Sequence, residues 1–483
     1  MGDIALLPAR DLAAKIRTRE VGSQELLEHY LKRVERFDPD LNAIVWTDLD
    51  AARRRAKEAD KALARGENWG PLHGLPMTIK ELFETKGMRW TAGDPNFAER
   101  VGTVNSPAVA RISNAGAVIF GVTNSPLNGS DTQTYNAVYG TTNNPWDRSR
   151  SPGGSSGGTA VVLAAGLSAL DLGSDIGGSI RNPAHYTGIY GHKPSFGIVP
   201  RCRVELPGMM AAGDLSVSGP LARCAEDLQF ELDIIAAPEA NDAVGWRLDL
   251  PKPRRSHLAG FRVAAWLNDP ECPVDAEVLE RLEKTVSALQ AVGATVDTEA
   301  RPDIDLRESN RIYRSLLNAA SARGLLGDAI AKVNSLEDEI PLEDAREKPT
   351  VSRKSSLRHR EWLHLDEARA QIRARWNLFF RDYDVLLTPV TPVAAIEHLH
   401  IPMGDRTILV NGEAHDYWNQ LTWAGLVTVA HLPATVAPVG QTSGGLPVGV
   451  QIVGPYLEDA TTIEFARLLG DVHGGYVPPP GYE

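Results

Sequence analysis

Apolar positions recur at helical spacing along the first part of the chain. Leu26, Leu27, Tyr30, Leu31 and Val34 form one such stripe, and Ser23 is placed as the N-cap ahead of it. Residues 50–65 continue as a charged, Ala-rich helix, so the whole of 8–66 reads as helical. Gly70, Pro71, Gly74 and Pro76 then punctuate the exit. MTIKEL at 77–82, AVIFGVTN at 117–124 and ALDLGSD at 169–175 read as short strands, with helices predicted over 106–115 and 159–167. The intervening stretch 125–158 is rich in Gly, Pro, Asn and Ser and reads mostly as loop.

A second pattern starts near 240. Residues 240–258 carry Pro and basic side chains and read as a connector. FRVAAWL at 261–267, an amphipathic helix over 274–291 and ATVDTEA at 294–300 then give a βαβ rhythm, which predicts a smaller lobe running to about 375. Residues 334–360 are charge-rich and read as exposed. Core-like strands return in YDVLLTP at 383–389, PATVAPVG at 433–440 and PVGVQIVGP at 447–455, followed by the tail YVPPPGYE.

Composition narrows the function classes. The 483 residues carry 50 Lys and Arg against 62 Asp and Glu, a formal net charge of −12. An acidic balance disfavours nucleic acid as a partner, because phosphate binding wants a basic face. The longest apolar run, 160–170, is too short to span a bilayer, and the N-terminus lacks a secretory h-region, so a soluble cytoplasmic protein is expected. Cys202, Cys224 and Cys272 form no CxxC pair, and they read as inert thiols in a reducing compartment. There is no HExxH, no Walker A motif and no S-x-x-K; His398 and His400 read as packing residues because no third ligand is suggested. Neither a metal nor a cofactor is expected.

One stretch departs from the average. Eight of the 43 glycines fall within the 26 residues 153–178, and two Gly-Gly-Ser turns place Ser155 and Ser179 24 positions apart. GGSSG at 153–157 matches a nucleophile elbow, but the polar residues NNPWDRSRSP precede it where an elbow needs a hydrophobic strand. A flexible linker does not enclose a hydrophobic helix and strand such as AVVLAAGLSALDLG. Glycines let backbone amides approach a ligand closely, so DIGGS at 175–179 can present several N–H groups to one oxygen.

These residues resemble the amidase signature family. SDIGGSIR at 174–181 matches its nucleophile motif, GGSSGG at 153–158 its second serine turn, and GLPMTIKEL at 74–82 its lysine strand. YGTTNNPWD at 139–147, YDVLLTPVTP at 383–392 and GLPVGVQIVGP at 445–455 extend the resemblance over essentially the whole chain. It implies an α/β fold: a large mixed, mostly parallel twisted sheet with helices on both faces and a smaller α/β accessory lobe. The corresponding division is 1–66 as an N-terminal helical segment, 67–239 as catalytic core, 240–375 as the lobe and 376–483 as the strands and helix completing the core. Carried over, Ser179 is the nucleophile, Ser155 a bridging serine on a cis peptide and Lys80 the base. The N–H groups of Ile176, Gly177, Gly178 and Ser179 are the oxyanion donors. Lys80 can take a proton only when neutral, and Asp175 with Arg181 reads as a structural ion pair.

Two departures bear on the substrate. Gly129 and Ser130 stand where bulkier pocket residues are common in the family, which implies a roomier site; Glu81 replaces the usual Asp and touches only the surroundings of Lys80. Met209 and Met210, in the apolar segment 201–220, read as an adaptable cover over the substrate. The expectation is an amidase for aryl or bulky amides, and by the same acyl chemistry for aryl carbamates, acting as a monomer or homodimer on a small molecule. The alternatives are a glutamine-dependent amidotransferase subunit making Gln-tRNA, which the loop 124–136 argues against, and a catalytically silent binding member, which the intact Lys80, Ser155 and Ser179 argue against.

Overall fold

The computed structural model describes residues 3–201, 210, 211, 213–322 and 357–483. The chain opens with helices α1 (Ala9–Arg17) and α2 (Ser23–Leu41), strand β1 (Ile44–Thr47) and helix α3 (Leu49–Ala64). Strand β2 (Pro76–Lys80), helix α4 (Pro107–Asn114) and strand β3 (Val118–Thr123) follow, then the two-residue strands β4 (Tyr135–Asn136) and β5 (Gly140–Thr141). The central region holds α5 (Gly157–Ala164), β6 (Asp171–Asp175), α6 (Arg181–Thr187), β7 (Tyr190–Lys193), β8 (Val217–Ala222) and α7 (Ala225–Ile235). Next come β9 (Arg262–Ala265), α8 (Ala276–Ala291), β10 (Thr295–Asp297), α9 (Leu306–Ala322) and α10 (His359–Phe379). The chain finishes with β11 (Val385–Pro389), the hairpin β12 (Thr407–Val410) and β13 (Glu413–Asp416), α11 (Thr422–Thr428), β14 (Ala434–Gln441), β15 (Pro447–Val453) and α12 (Asp459–His473). Most of 334–360, read from sequence as an exposed charged stretch, lies outside the described residues, as do Cys202 and Met209.

An eight-stranded sheet in the order β10-β9-β11-β15-β14-β7-β8-β6 forms the centre. It is mixed, but it is not mostly parallel. Only β10·β9 and β9·β11 pair in parallel; the other five neighbouring pairs are antiparallel. The mostly parallel arrangement is an implication of the resemblance, and apolar runs such as PVGVQIV do not test it. Such runs report that both sheet faces are covered, and every residue of β15 is buried. Coverage of both faces does not decide strand direction. The strands of the βαβ unit, β9 and β10, extend the edge of this same sheet.

A three-stranded sheet, β1-β3-β2, stands beside it, with β2 and β3 parallel and β1 antiparallel to β3. β1 lies inside the stretch read as wholly helical; its IVWT sequence is β-branched and aromatic, which suits a strand. Ser23 is not the N-cap of α2. Gly22 takes that place, with Glu25 folding back onto the Gly22 N–H, while Asp60 accepts from Ser23 N at 2.7 Å. The Ser23 hydroxyl is buried and turned inward to the Gly74 carbonyl at 2.6 Å, so a buried acceptor claimed the oxygen that a cap would have used.

The two sheets meet where β2 leans on β6, the edge strand of the large sheet. Thr78 N donates to Ser168 Oγ at 3.0 Å, and Thr78 Oγ1 donates to Asp171 Oδ2 at 2.7 Å. Asp171 also accepts from Thr123 Oγ1 at 3.2 Å and Thr159 Oγ1 at 3.4 Å. One carboxyl thus ties β2, β3, α5 and β6 together. Burial pushes its pKa up to about 7. Glu231 of α7, also fully buried, is pushed well above its ordinary value by burial and then by the charge of Asp171.

A carboxyl whose folded pKa is raised adds stability that is complete below its unfolded pKa and is lost as pH rises through the folded one. At pH 8 the wild-type protein must hold Asp171 ionised in a dry seam; at pH 5 it does not. Asp171→Asn keeps an acceptor for the threonines and removes the charge. Relative to wild type, its Tm should be higher at pH 8 than at pH 5 by roughly 2–4 °C for each kcal/mol relieved, or somewhat less in a chain this long. Thermal melts of both proteins at the two pH values check this.

Candidate functional site

The seam between the sheets brings three serines, from two chain segments, to one amine. Lys80 ends β2 and is fully buried. Its Nζ donates to Ser155 Oγ at 2.7 Å, Ser156 Oγ at 2.9 Å and Ser174 Oγ at 3.1 Å. Ser155 and Ser156 precede α5, and Ser174 lies in β6. The Gly154–Ser155 peptide is cis, as the resemblance implies. A Cβ at Gly154 would stand 2.6 Å from the carbonyl oxygens of Asp131 and Gln133, so only glycine allows this turn to pack against the 131–133 backbone. Ser156 N donates to the Ser179 carbonyl at 3.1 Å, which joins the two Gly-Gly-Ser turns. Ser156 and Ser174 are not marked out by the sequence reading, although each stands inside one of the serine motifs.

Beyond β6 the backbone turns through 176–180 into α6. Asp175 organises that turn. Its Oδ1 accepts from Gly178 N at 3.0 Å and its Oδ2 from Ile180 N at 3.1 Å. Gly178 has φ +96°, and a Cβ there would meet Ala424 Cβ at 3.0 Å, so the turn needs glycine on both counts. Arg181 clamps the same carboxylate with Nε at 3.0 Å and Nη2 at 2.7 Å, and also reaches Ala424 O, Gln451 Oε1 and Thr428 Oγ1. Burial alone would raise the Asp175 carboxyl; the adjacent Arg181 guanidinium outweighs it and holds the pKa at about 2. The pair is the structural ion pair expected from sequence.

Of the four expected oxyanion donors, the Gly178 N–H is therefore already given to Asp175. The Ile176, Gly177 and Ser179 N–H groups have no hydrogen-bond partner among the described residues. Ser179 itself is buried, 6% exposed, and Ile176 is half-buried. The turn can offer up to three unspent donors to one oxygen, next to a serine.

The neighbouring pocket loop is fixed in two ways. Glu81, buried beside Lys80, accepts from the N–H groups of Thr91 and Ala92, and Ala92 O accepts from Asn128 N at 2.7 Å. Burial raises the Glu81 carboxyl to about 7. Through these bonds Glu81 positions the turn at 127–129. A Cβ on Gly129 would stand 3.5 Å from Ser155 Oγ, so Gly129 does face the serines. Ser130 is exposed, its hydroxyl donating back to Asn128 O at 3.3 Å. Farther along, Asp131 pairs with Arg406 Nη1 at 2.7 Å and accepts from Tyr417 Oη at 2.6 Å. Met210 is 57% exposed.

Among the described residues no group of three His, Cys, Asp or Glu side chains is arranged to hold a metal ion. His400 stacks on Tyr135 and His398 Nε2 lies 3.1 Å from Asn143 Oδ1, which are packing contacts. No described helix is long and apolar enough to cross a membrane. A Ser-His-Asp group is buried far from Lys80 in sequence, but there Asp459 sits between His192 and Ser195, so no base reaches the Ser195 hydroxyl through His192.

Comparison with known proteins agrees with the geometry. The Amidase family model matches residues 25–463. The chain is 31% identical to a glutamyl-tRNA(Gln) amidotransferase subunit of Anaeromyxobacter dehalogenans, over 99% of this chain and 98% of that one. It is 32% identical to indoleacetamide hydrolase of Bradyrhizobium diazoefficiens, over 93% and 84%. Among solved structures, a bacterial aryl acylamidase of the amidase signature enzymes superposes with a TM-score of 0.80 at 23% identity, covering 97% of this chain and 96% of the other. A family model spanning this much of the sequence, over this fold and these serine turns, makes the chain a member of the Amidase family.

Proposed function

We propose that this protein hydrolyses the C–N bond of aryl or bulky amides through Ser179, Ser155 and Lys80. The observation that carries the reading is the buried Lys80 amine held by Ser155, whose neighbour Ser156 donates its N–H to the Ser179 carbonyl, beside the unspent N–H groups of that turn. In its neutral form Lys80 accepts the Ser155 proton, and Ser155 accepts that of Ser179. Ser179 Oγ bonds to the amide carbon, and the carbonyl oxygen becomes an oxyanion facing the N–H groups of Ile176, Gly177 and Ser179. Collapse breaks the C–N bond. The leaving nitrogen takes the proton back through Ser155, and an acyl-Ser179 ester remains. Water then adds to that ester by the same proton relay, releasing the acid and restoring Ser179.

Bulky acyl or aryl groups are supported by Gly129, which puts no side chain between Leu82 and Ser155, where a Cβ would stand 2.9 Å from Leu82 Cδ1 and 3.5 Å from Ser155 Oγ. The same attack on a urethane carbonyl gives carbamate hydrolysis. Likeness to the glutamyl-tRNA(Gln) amidotransferase subunits over their full length supports a second reading, ammonia release from glutamine for Gln-tRNA synthesis. Against it, Asp131, whose backbone lies against the Gly154 turn, already has its carboxylate paired with Arg406, where an ammonium group would need it free. A glutaminase assay with a search for co-purifying proteins separates the two readings.

Ser179→Ala should lose turnover of p-nitroanilides and labelling by a fluorophosphonate probe; labelling retained at Ser155 would sink the nucleophile assignment. Lys80→Met should lower kcat by ~10²–10⁴-fold, the usual range for a lost acid–base group. Gly129→Ala sets a methyl group between Leu82 and Ser155 at a φ of +69° that strains any side chain, so rates fall for every substrate. The kcat/KM for anilides should nonetheless fall about tenfold more than for acetamide, since one carbon in a fitted pocket is worth ~10–200-fold. A panel of p-nitroanilides, aliphatic amides, aryl esters and aryl carbamates, compared by kcat/KM, measures this.

A further inference from the structure

Ile176 leads out of β6 into the turn that carries Ser179. Its carbonyl oxygen accepts a hydrogen bond from Tyr313 Oη at 3.0 Å. Tyr313 belongs to α9, well apart in sequence from every motif of the site. Its side chain is fully buried. The ring lies in a notch left by Gly425 of α11, where a Cβ would stand 2.3 Å from Tyr313 Cδ1. The hydroxyl comes within 3.2 Å of the position a Gly177 Cβ would take. Burial pushes the phenol well above its ordinary pKa, so Tyr313 remains an O–H donor throughout the neutral range.

The Ile176 oxygen and the Gly177 N–H belong to one peptide plane. That peptide is trans, so its C=O and N–H point to opposite sides. Tyr313 holds the oxygen on the α9 side and thereby aims the Gly177 N–H away from α9. The next N–H, Gly178, is held by Asp175. Gly177 and Gly178 have no side chains to resist rotation of these planes, so orientation must come from outside the turn. A hydrogen bond accepted at the carbonyl also polarises the peptide and strengthens its N–H as a donor.

We propose that Tyr313 is a positioning residue for the oxyanion pocket: it fixes the Ile176–Gly177 peptide so that the Gly177 N–H faces the oxygen of the group attacked by Ser179. The inference rests on reading 176–179 as the oxyanion segment. Tyr313→Phe keeps the ring in its notch and removes only the donor. With a p-nitroanilide, kcat should fall about tenfold or more while KM stays within about twofold. Affinity for a trifluoromethyl ketone, which forms an oxyanion on Ser179, should fall by the same factor as kcat/KM. Melting temperature should change little. An unchanged kcat, a rise in KM alone, or a lower kcat with undiminished ketone affinity would overturn the proposal, as would a large drop in Tm that carries kcat and KM with it. Ser179→Ala, run beside it, separates the two claims. If that variant still turns over, the reading of the site falls first; if it is dead and Tyr313→Phe is unaffected, only the role of Tyr313 falls.

Discussion

The site depends on a buried amine. A lysine nitrogen removed from water loses several kcal/mol of hydration unless protein groups replace it. Here Ser155, Ser156 and Ser174 do so, and they arrive from two chain segments. That requirement explains much of the surrounding architecture. The small sheet must lean on the edge of the large one for Lys80 to reach β6. The start of α5 must lie against the turn after β6 for Ser155 to stand between them. Asp171 serves that convergence one layer deeper, gathering threonine hydroxyls from β2, β3 and α5 onto β6.

Much of this is legible in the sequence because the chemistry is local there. Gly-Gly-Ser turns need glycine for close approach, and the 2.6 Å clearance at Gly154 and the positive φ of Gly178 are the physical content of those motifs. The helix and strand positions around them follow from periodicity, to within a few residues. What stays hidden depends on pairing between distant segments. The direction of β15 against β11 and β14 leaves no trace in the strands themselves, since burial on both faces yields the same apolar run either way. β1 is concealed by its brevity between two helices. Ser23 carries a cap signal that a buried carbonyl overrides.

The turn at 176–179, read as the oxyanion segment, divides along the same line. In sequence its donors form one uniform row, 176 to 179. The structure separates them, because Asp175 takes the Gly178 N–H for itself. Asp175 can do so as a full anion only because Arg181 sits beside it; without that guanidinium, burial would drive the carboxyl toward its neutral form, which is a weaker acceptor. The ion pair therefore belongs to the shape of the turn, although neither member needs to touch a substrate.

A turn built on two glycines is easy to form and hard to hold in one orientation. Its neighbours supply what it lacks. From the core side, Asp175 and Arg181 fix the Gly177–Gly178 peptide; from the far side, Tyr313 holds the Ile176 carbonyl and with it the plane ahead. Tyr313 can reach that carbonyl only because Gly425 leaves α11 open beneath its ring. A glycine outside every motif thus sets how closely a helix of the 240–375 region approaches the turn. It follows that α9 does more than pack on α10 and α11: its register, one residue either way, decides whether a donor meets Ile176. On the proposed roles of Ser179 and Tyr313, variation in α9 then alters the rate without changing any residue of the serine turns.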